Sequence, residues 1–203
     1  VLSLRCSSDK NQLIYKKYLD SLMKFCRITL MSRSLLPSLL ILPLIACLSS
    51  CSNQVKAKHP VSYRFEHGRT AMLKNGIAIA PRNAPAAVKK AIAAGNRLQS
   101  KPYKWGGGHR NHHDSGYDCS GTVSYVLREA GLMKGSMPSS GYFNYGKKGE
   151  GDWITVYVRS GHVFMTVAGL RLDTGWGADR SGPRWHTRTR PGKGHVMRHP
   201  AGL

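Results

Sequence analysis

Apolar residues recur at helical spacing from Val88 onward: Val88, Ala91, Ile92, Gly95 and Leu98 fall on one side of a helix. Asn83 offers a cap and Pro85 suits a first turn, so an amphipathic helix is predicted over 84–99, with Lys101-Pro102 ending it. A polar, glycine-rich stretch from Gly106 to Gly116 reads as loop. Val123, Val126, Leu127 and Ala130 then repeat the helical period, predicting a second helix that opens near Cys119 and stops at Gly131. Residues 132–151 are rich in Gly, Ser and Lys and read as loop. From Trp153 the period changes to two, so Ile154, Val156 and Val158 share one face of a strand. Two more strands, His162 to Val167 and Leu170 to Asp173, are predicted to join at Ala168-Gly169. The basic tail from Arg180 reads as irregular, with a final strand near His195 to Met197. Helices first and an antiparallel meander afterwards define an α+β domain over 84–203.

The one strongly apolar run, residues 35–46, follows Arg33 and ends among small residues and cysteine. It is too short and too proline-broken for a membrane span, which needs about 20 residues. It reads as the apolar core of an export signal, against the alternative of a buried helix. Leu48-Ser49-Ser50-Cys51 resembles a bacterial lipobox, in which the cysteine is lipidated; Leu44-Ile45-Ala46-Cys47 is the alternative site. An export leader is therefore expected over 1–51. Residues 1–30 read as an over-long start, because a signal could begin at Met23 or Met31. A polar linker is expected over 52–83, with a short strand around Ile77 to Ile79.

That leader changes the cysteine count. Five cysteines become one inside the domain, Cys119, because Cys6, Cys26 and Cys47 leave with the leader and Cys51 carries lipid. A single cysteine makes no internal disulfide, so Cys119 is either a buried inert thiol or a reactive one. Charge narrows the surroundings: 31 Lys+Arg against 10 Asp+Glu leave +21 at pH 7. Such a chain favours anionic partners. The basic residues are dispersed and no aromatic-interleaved pattern accompanies them, so nucleic acid is not the expected partner.

A nucleophilic thiol acts as thiolate and needs a nearby base. Cys119 opens a helix, where unpaired N–H groups and the helix dipole favour a negative sulfur. Asp118 is the expected cap, although its charge opposes the thiolate unless it points away. His162 is the candidate base, at a strand start on the face of Phe164 and Thr166. If Ala168-Gly169 is a two-residue turn, Val167 pairs with Leu170 and Phe164 with Asp173, which places Asp173 on the His162 side. A carboxylate there could hold the imidazole. A one-residue register change would exchange Asp173 for Thr174.

Asp118-Cys119-Ser120-Gly121, followed by an amphipathic helix, resembles the signature of the NlpC-type bacterial cell-wall cysteine peptidases. Pro102-Tyr103-Lys104-Trp105-Gly106-Gly107 resembles that family's Pro-Tyr-x-Trp-Gly-Gly segment, and Gly151-Asp152-Trp153 and Gly161-His162-Val163 match its strand motifs in order. The likeness runs over about residues 84–175. It implies a papain-like fold, with helices packed on a small antiparallel sheet. It also implies hydrolysis of an amide in peptidoglycan stem peptides, commonly between γ-D-glutamate and a diamino acid. By position, Cys119 attacks, His162 moves the proton, and Tyr103 helps the Cys119 N–H hold the oxyanion; the other reading of Tyr103 is an aromatic packed beside Trp105. Two departures stand out. The family's third polar residue is usually a histidine about one residue beyond Asp173, and the loop from Gly135 to Gly149 bears little likeness to the usual pattern.

His109, His112, His113 and Asp114 match no common zinc signature, so no metal site is expected, and no cofactor. Ser120 has no helper of its own and is read as supporting the helix start. Trp185 is read as packed rather than wall-contacting. The expected partners are peptidoglycan, anionic envelope polymers and, through a lipid anchor, a membrane at the cell envelope. Two rivals remain: an amidase or acyltransferase with the same residues, and a non-catalytic wall-binding lipoprotein.

Overall fold

The computed structural model describes residues 54–175, 181–188 and 190–203. The expected leader, with Cys47 and Cys51, lies outside the described residues. Helix α1, Ala86–Arg97, buries Val88, Ala91, Ile92, Ala94 and Gly95, with Leu98 buried just beyond its end. Its cap position is Pro85 and no side chain closes it, so the expected Asn83 cap does not form. Proline suits this end, because its missing N–H is one that a first turn leaves unpaired anyway.

Helix α2, Cys119–Glu129, is fixed at its start by Asp118, whose Oδ1 accepts the Gly121 N–H at 2.6 Å. Gly121 must be glycine, because the chain crosses too close for a side chain. A Cβ there would lie 1.9 Å from the Gly107 carbonyl oxygen, so the Gly106–Gly108 loop crosses directly over the first turn. At the far end Gly131 takes φ +73° and the Leu132 N–H returns to the Leu127 carbonyl, a left-handed stop.

Strands β1, Met72–Lys74, and β2, Ile77–Ile79, form a hairpin, so the strand expected at 77–79 has a partner. The main sheet has six antiparallel strands: β3, Lys147–Lys148; β4, Ile154–Arg159; β5, His162–Val167; β6, Leu170–Asp173; β7, Arg184–His186; and β8, Val196–His199. Their spatial order is β3-β8-β4-β5-β6-β7. The β5–β6 turn holds Ala168 at φ 46° and Gly169 at φ 79°, the two left-handed positions that a tight hairpin twist demands. Val167 faces Leu170 and Met165 faces Leu172, the register expected from a two-residue turn.

Ile154, Val156 and Val158 of β4 join Val163, Met165 and Val167 of β5 in a core that includes the buried sides of α1 and α2. Each fully buried Val, Leu or Ile contributes roughly 1.5–3 kcal/mol. A smaller cluster holds Tyr157 stacked on Phe164, with ring centroids 4.9 Å apart, and includes Ala57 with Val61 and Met197 packed against it. Part of the stretch read as linker is therefore built into the domain: the Ala57 N–H bonds to the His195 carbonyl, and Val61 and Arg190 exchange backbone bonds. The region read as loop over 132–151 contains a 3-10 helix, Ser139–Asn144, which buries Tyr142. The tail is also more regular than its composition suggests, since β7 packs Trp185 so close to α1 that a Cβ on Gly95 would meet the indole at 2.3 Å. Among the described residues no helix is long and apolar enough to cross a membrane.

Candidate active site

A cleft of about 500 Å³ opens at the start of α2. Tyr103, Trp105, Cys119, His162, Arg159 and Thr174 are among its lining residues. Cys119 is a half-buried free thiol at the first position of α2. Asp118, next to it, turns its carboxylate into the structure. Oδ1 takes the Gly121 N–H and the Ser120 hydroxyl, and Oδ2 takes the Gly106 N–H at 3.0 Å. The carboxylate is thereby committed to the loop and the helix start. Ser120 bonds to Asp118 and His109, in keeping with a supporting role.

His162, buried at the start of β5, places Nε2 3.0 Å from Asp173 Oδ1 and lines the same cleft as Cys119. With Nε2 given to the carboxylate, Nδ1 is the ring nitrogen left for the thiol. Burial alone would lower the pKa of His162. The Asp173 hydrogen bond, then the neighbouring Cys119 and the charge of the carboxylate, outweigh it and hold the imidazole above its ordinary value.

Asp173, the last residue of β6, is 1% exposed. Its second oxygen accepts Arg171 Nη1 at 2.7 Å and Arg190 Nη1 at 2.5 Å. A carboxylate held by two guanidiniums and an imidazole has its orientation determined on both oxygens. Thr174, the alternative third residue, is also buried and lines the cleft, but Asp173 is the one that reaches His162.

Tyr103 is half-buried in the cleft wall and bridges to Tyr117 through the backbone. Trp105 stands at the cleft with 86% of its surface exposed. The preceding loop is braced by Asp114, whose carboxylate takes Lys104 Nζ at 2.6 Å and the Gly108 N–H at 3.2 Å. The Lys104 hydrogen bond, followed by the Gly108 one, holds that carboxyl well below the usual range. Of the group His109, His112, His113 and Asp114, only His112 and His113 stay together in the fold. His109 lines the cleft with Nε2 on Asp118 and Ser120, Asp114 braces the loop, and His112 turns to Glu129.

Arg159 and Ser139 are among the cleft residues that escaped the sequence reading. Arg159 was in principle legible: it faces His162 across the Ser160-Gly161 turn, so a hairpin placed there puts a guanidinium beside the imidazole. Ser139 had no such signal, because it arrives on the 3-10 helix inside a stretch with no periodicity.

No protein-family model matches this chain, and no curated protein is significantly similar to it. The chemistry is therefore read from the residues themselves. A thiol at a helix start, an imidazole in the same cleft and a carboxylate behind the imidazole form a constellation able to perform nucleophilic acyl transfer.

Proposed function

We propose that this domain is a papain-like cysteine peptidase that hydrolyses an amide in peptidoglycan stem peptides, with the γ-D-glutamyl–diamino acid bond as the preferred target. The observation that carries the reading is the shared cleft of Cys119 and His162, with Asp173 fastened behind the imidazole. The likeness of the segments around Tyr103, Cys119, Asp152 and His162 to the NlpC-type peptidases supplies the substrate class.

In this mechanism the Cys119 proton passes to His162 and the thiolate attacks the scissile carbonyl. The Cys119 N–H and the Tyr103 hydroxyl hold the oxyanion. Collapse of the tetrahedral adduct breaks the C–N bond as His162 gives its proton to the departing amine, leaving a thioester. Water then loses a proton to His162 and attacks the thioester, and the returning proton restores the thiol. No cofactor enters. The net charge of +21 favours carboxylate- and phosphate-rich envelope polymers, an attraction that weakens with salt. Export and a lipid anchor at Cys51, with Cys47 as the alternative, would hold the domain at the cell envelope.

The test is digestion of purified sacculi and defined muropeptides by the wild type and Cys119→Ala, with products identified by mass spectrometry. New amino and carboxyl ends at one stem-peptide bond, absent in the variant, are expected. Transfer products in place of hydrolysis would support the acyltransferase rival. Binding of sacculi with no turnover by either protein would support a wall-binding lipoprotein.

A further inference from the structure

Away from the cleft, His112, His113 and Glu129 each place one ligand atom so that all three lie within 4.8 Å of one another. Glu129 is the last residue of α2, while both histidines belong to the loop ahead of Cys119. We propose that these residues form a three-ligand site for a divalent transition-metal ion of the zinc type, clipping that loop to the far end of the nucleophile's helix.

The surroundings favour ordered ligands. The His112 ring stacks on Tyr125, with centroids 4.7 Å apart and planes 29° from parallel, and His113 meets His112 edge-on at 4.7 Å. His112 Nε2 lies 2.5 Å from Glu129 Oε1, while Glu129 Oε2 is taken by Arg97, so the carboxylate is oriented from outside the cluster. Such an outer partner is typical of ligating carboxylates. Arg97 in turn bonds through Nε to the Tyr125 hydroxyl at 2.9 Å.

The donor set also selects the ion. Two imidazoles and one carboxylate already shared with a guanidinium suit zinc, cobalt or nickel. Calcium and magnesium need several oxygen ligands and are poorly served. Tetrahedral zinc bonds of about 2.0–2.1 Å put donor atoms roughly 3.3 Å apart. His112 and Glu129 must therefore open slightly, and His113, which is exposed, must swing in. The ion takes the place of the hydrogen between His112 Nε2 and Glu129, the neutral imidazole then carrying its one proton on Nδ1, and water fills the fourth position.

The site is read out by titrating Co(II) and Zn(II) into the 203-residue chain with its five cysteines replaced by serine, which removes competing thiolates. Saturable binding of one ion per chain is expected. Cobalt should give the intense visible absorption of a tetrahedral site and be displaced by zinc but not by magnesium or calcium. His113→Ala and Glu129→Gln, made in the same background, should each weaken binding at least tenfold, and zinc should raise the melting temperature of the parent but not of these variants. The exposed position of His113 makes its variant a folded control. Absence of one-to-one binding, or equal affinity in parent and variants, overturns the proposal.

Discussion

His162 and Asp173 meet 3.0 Å apart across a hairpin whose turn, Ala168-Gly169, is left-handed at both positions. The turn determines the register, and the register puts the carboxylate on the imidazole's side of the sheet. Arg171 and Arg190 then close on the outer oxygen of Asp173, so the strand that carries the histidine, its neighbour and the basic tail share one buried network.

That network gives the first prediction. Asp173→Asn leaves two guanidiniums buried without their anion, a loss of about 3–5 kcal/mol in unfolding free energy. Urea denaturation of the wild type and variant measures it. A loss below about 1 kcal/mol would mean that the arginines find other partners and that the carboxylate is not the centre of the cluster.

The second prediction concerns pH. His162 is held above its ordinary value of 6.5 in the folded chain, so folding favours its protonated form. Its contribution to stability is fully present below pH 6.5 and is lost as pH rises through the folded pKa. The stability difference between wild type and His162→Gln should therefore be largest on the acid side and shrink above neutrality. Urea midpoints from pH 5 to 9 test this, and a difference that grows with pH would reverse the sign.

Both arguments begin in features that the sequence carries openly. The helix at Cys119, the alternation in β4 and the Ala168-Gly169 turn were legible because each depends on residues close along the chain, at spacings of two or 3.6. Arg190 is a different case. It reaches Asp173 from an irregular basic tail, held there by backbone bonds to Val61 in a stretch that reads as linker. Glu129 likewise sits seventeen positions from the His112 that meets it, with no periodicity linking the two. Long-range pairings without periodicity leave no local signal, and the 3-10 helix that brings Ser139 to the cleft was hidden for the same reason.

Trp105 supplies the third prediction. With 86% of its surface exposed it contributes almost nothing to the core, so Trp105→Ala should change stability by less than about 0.5 kcal/mol. If the domain acts as the proposed peptidase, the place of Trp105 beside the cleft would make it a platform for the apolar parts of a bound peptide. Digestion of a defined muropeptide should show a raised KM with kcat little changed. A variant with wild-type KM would remove Trp105 from substrate binding.

The last prediction separates two glycines at opposite ends of α2. At Gly121 an added Cβ would stand 1.9 Å from the Gly107 carbonyl oxygen, a backbone atom that cannot rotate away. Gly121→Ala must therefore push the Gly106–Gly108 loop off the first turn, at about 1–3 kcal/mol, and displace the thiol carried by that turn. At Gly131 nothing lies within 4 Å, and the cost of alanine is only that of its φ of +73°, about 1 kcal/mol. Overall stability could fall by similar amounts in the two variants. Alkylation of Cys119 should not: its rate and pH profile should change in Gly121→Ala and stay at wild-type values in Gly131→Ala. Equal alkylation in all three proteins would mean that the crossing of the glycine loop over the helix start does not position the sulfur.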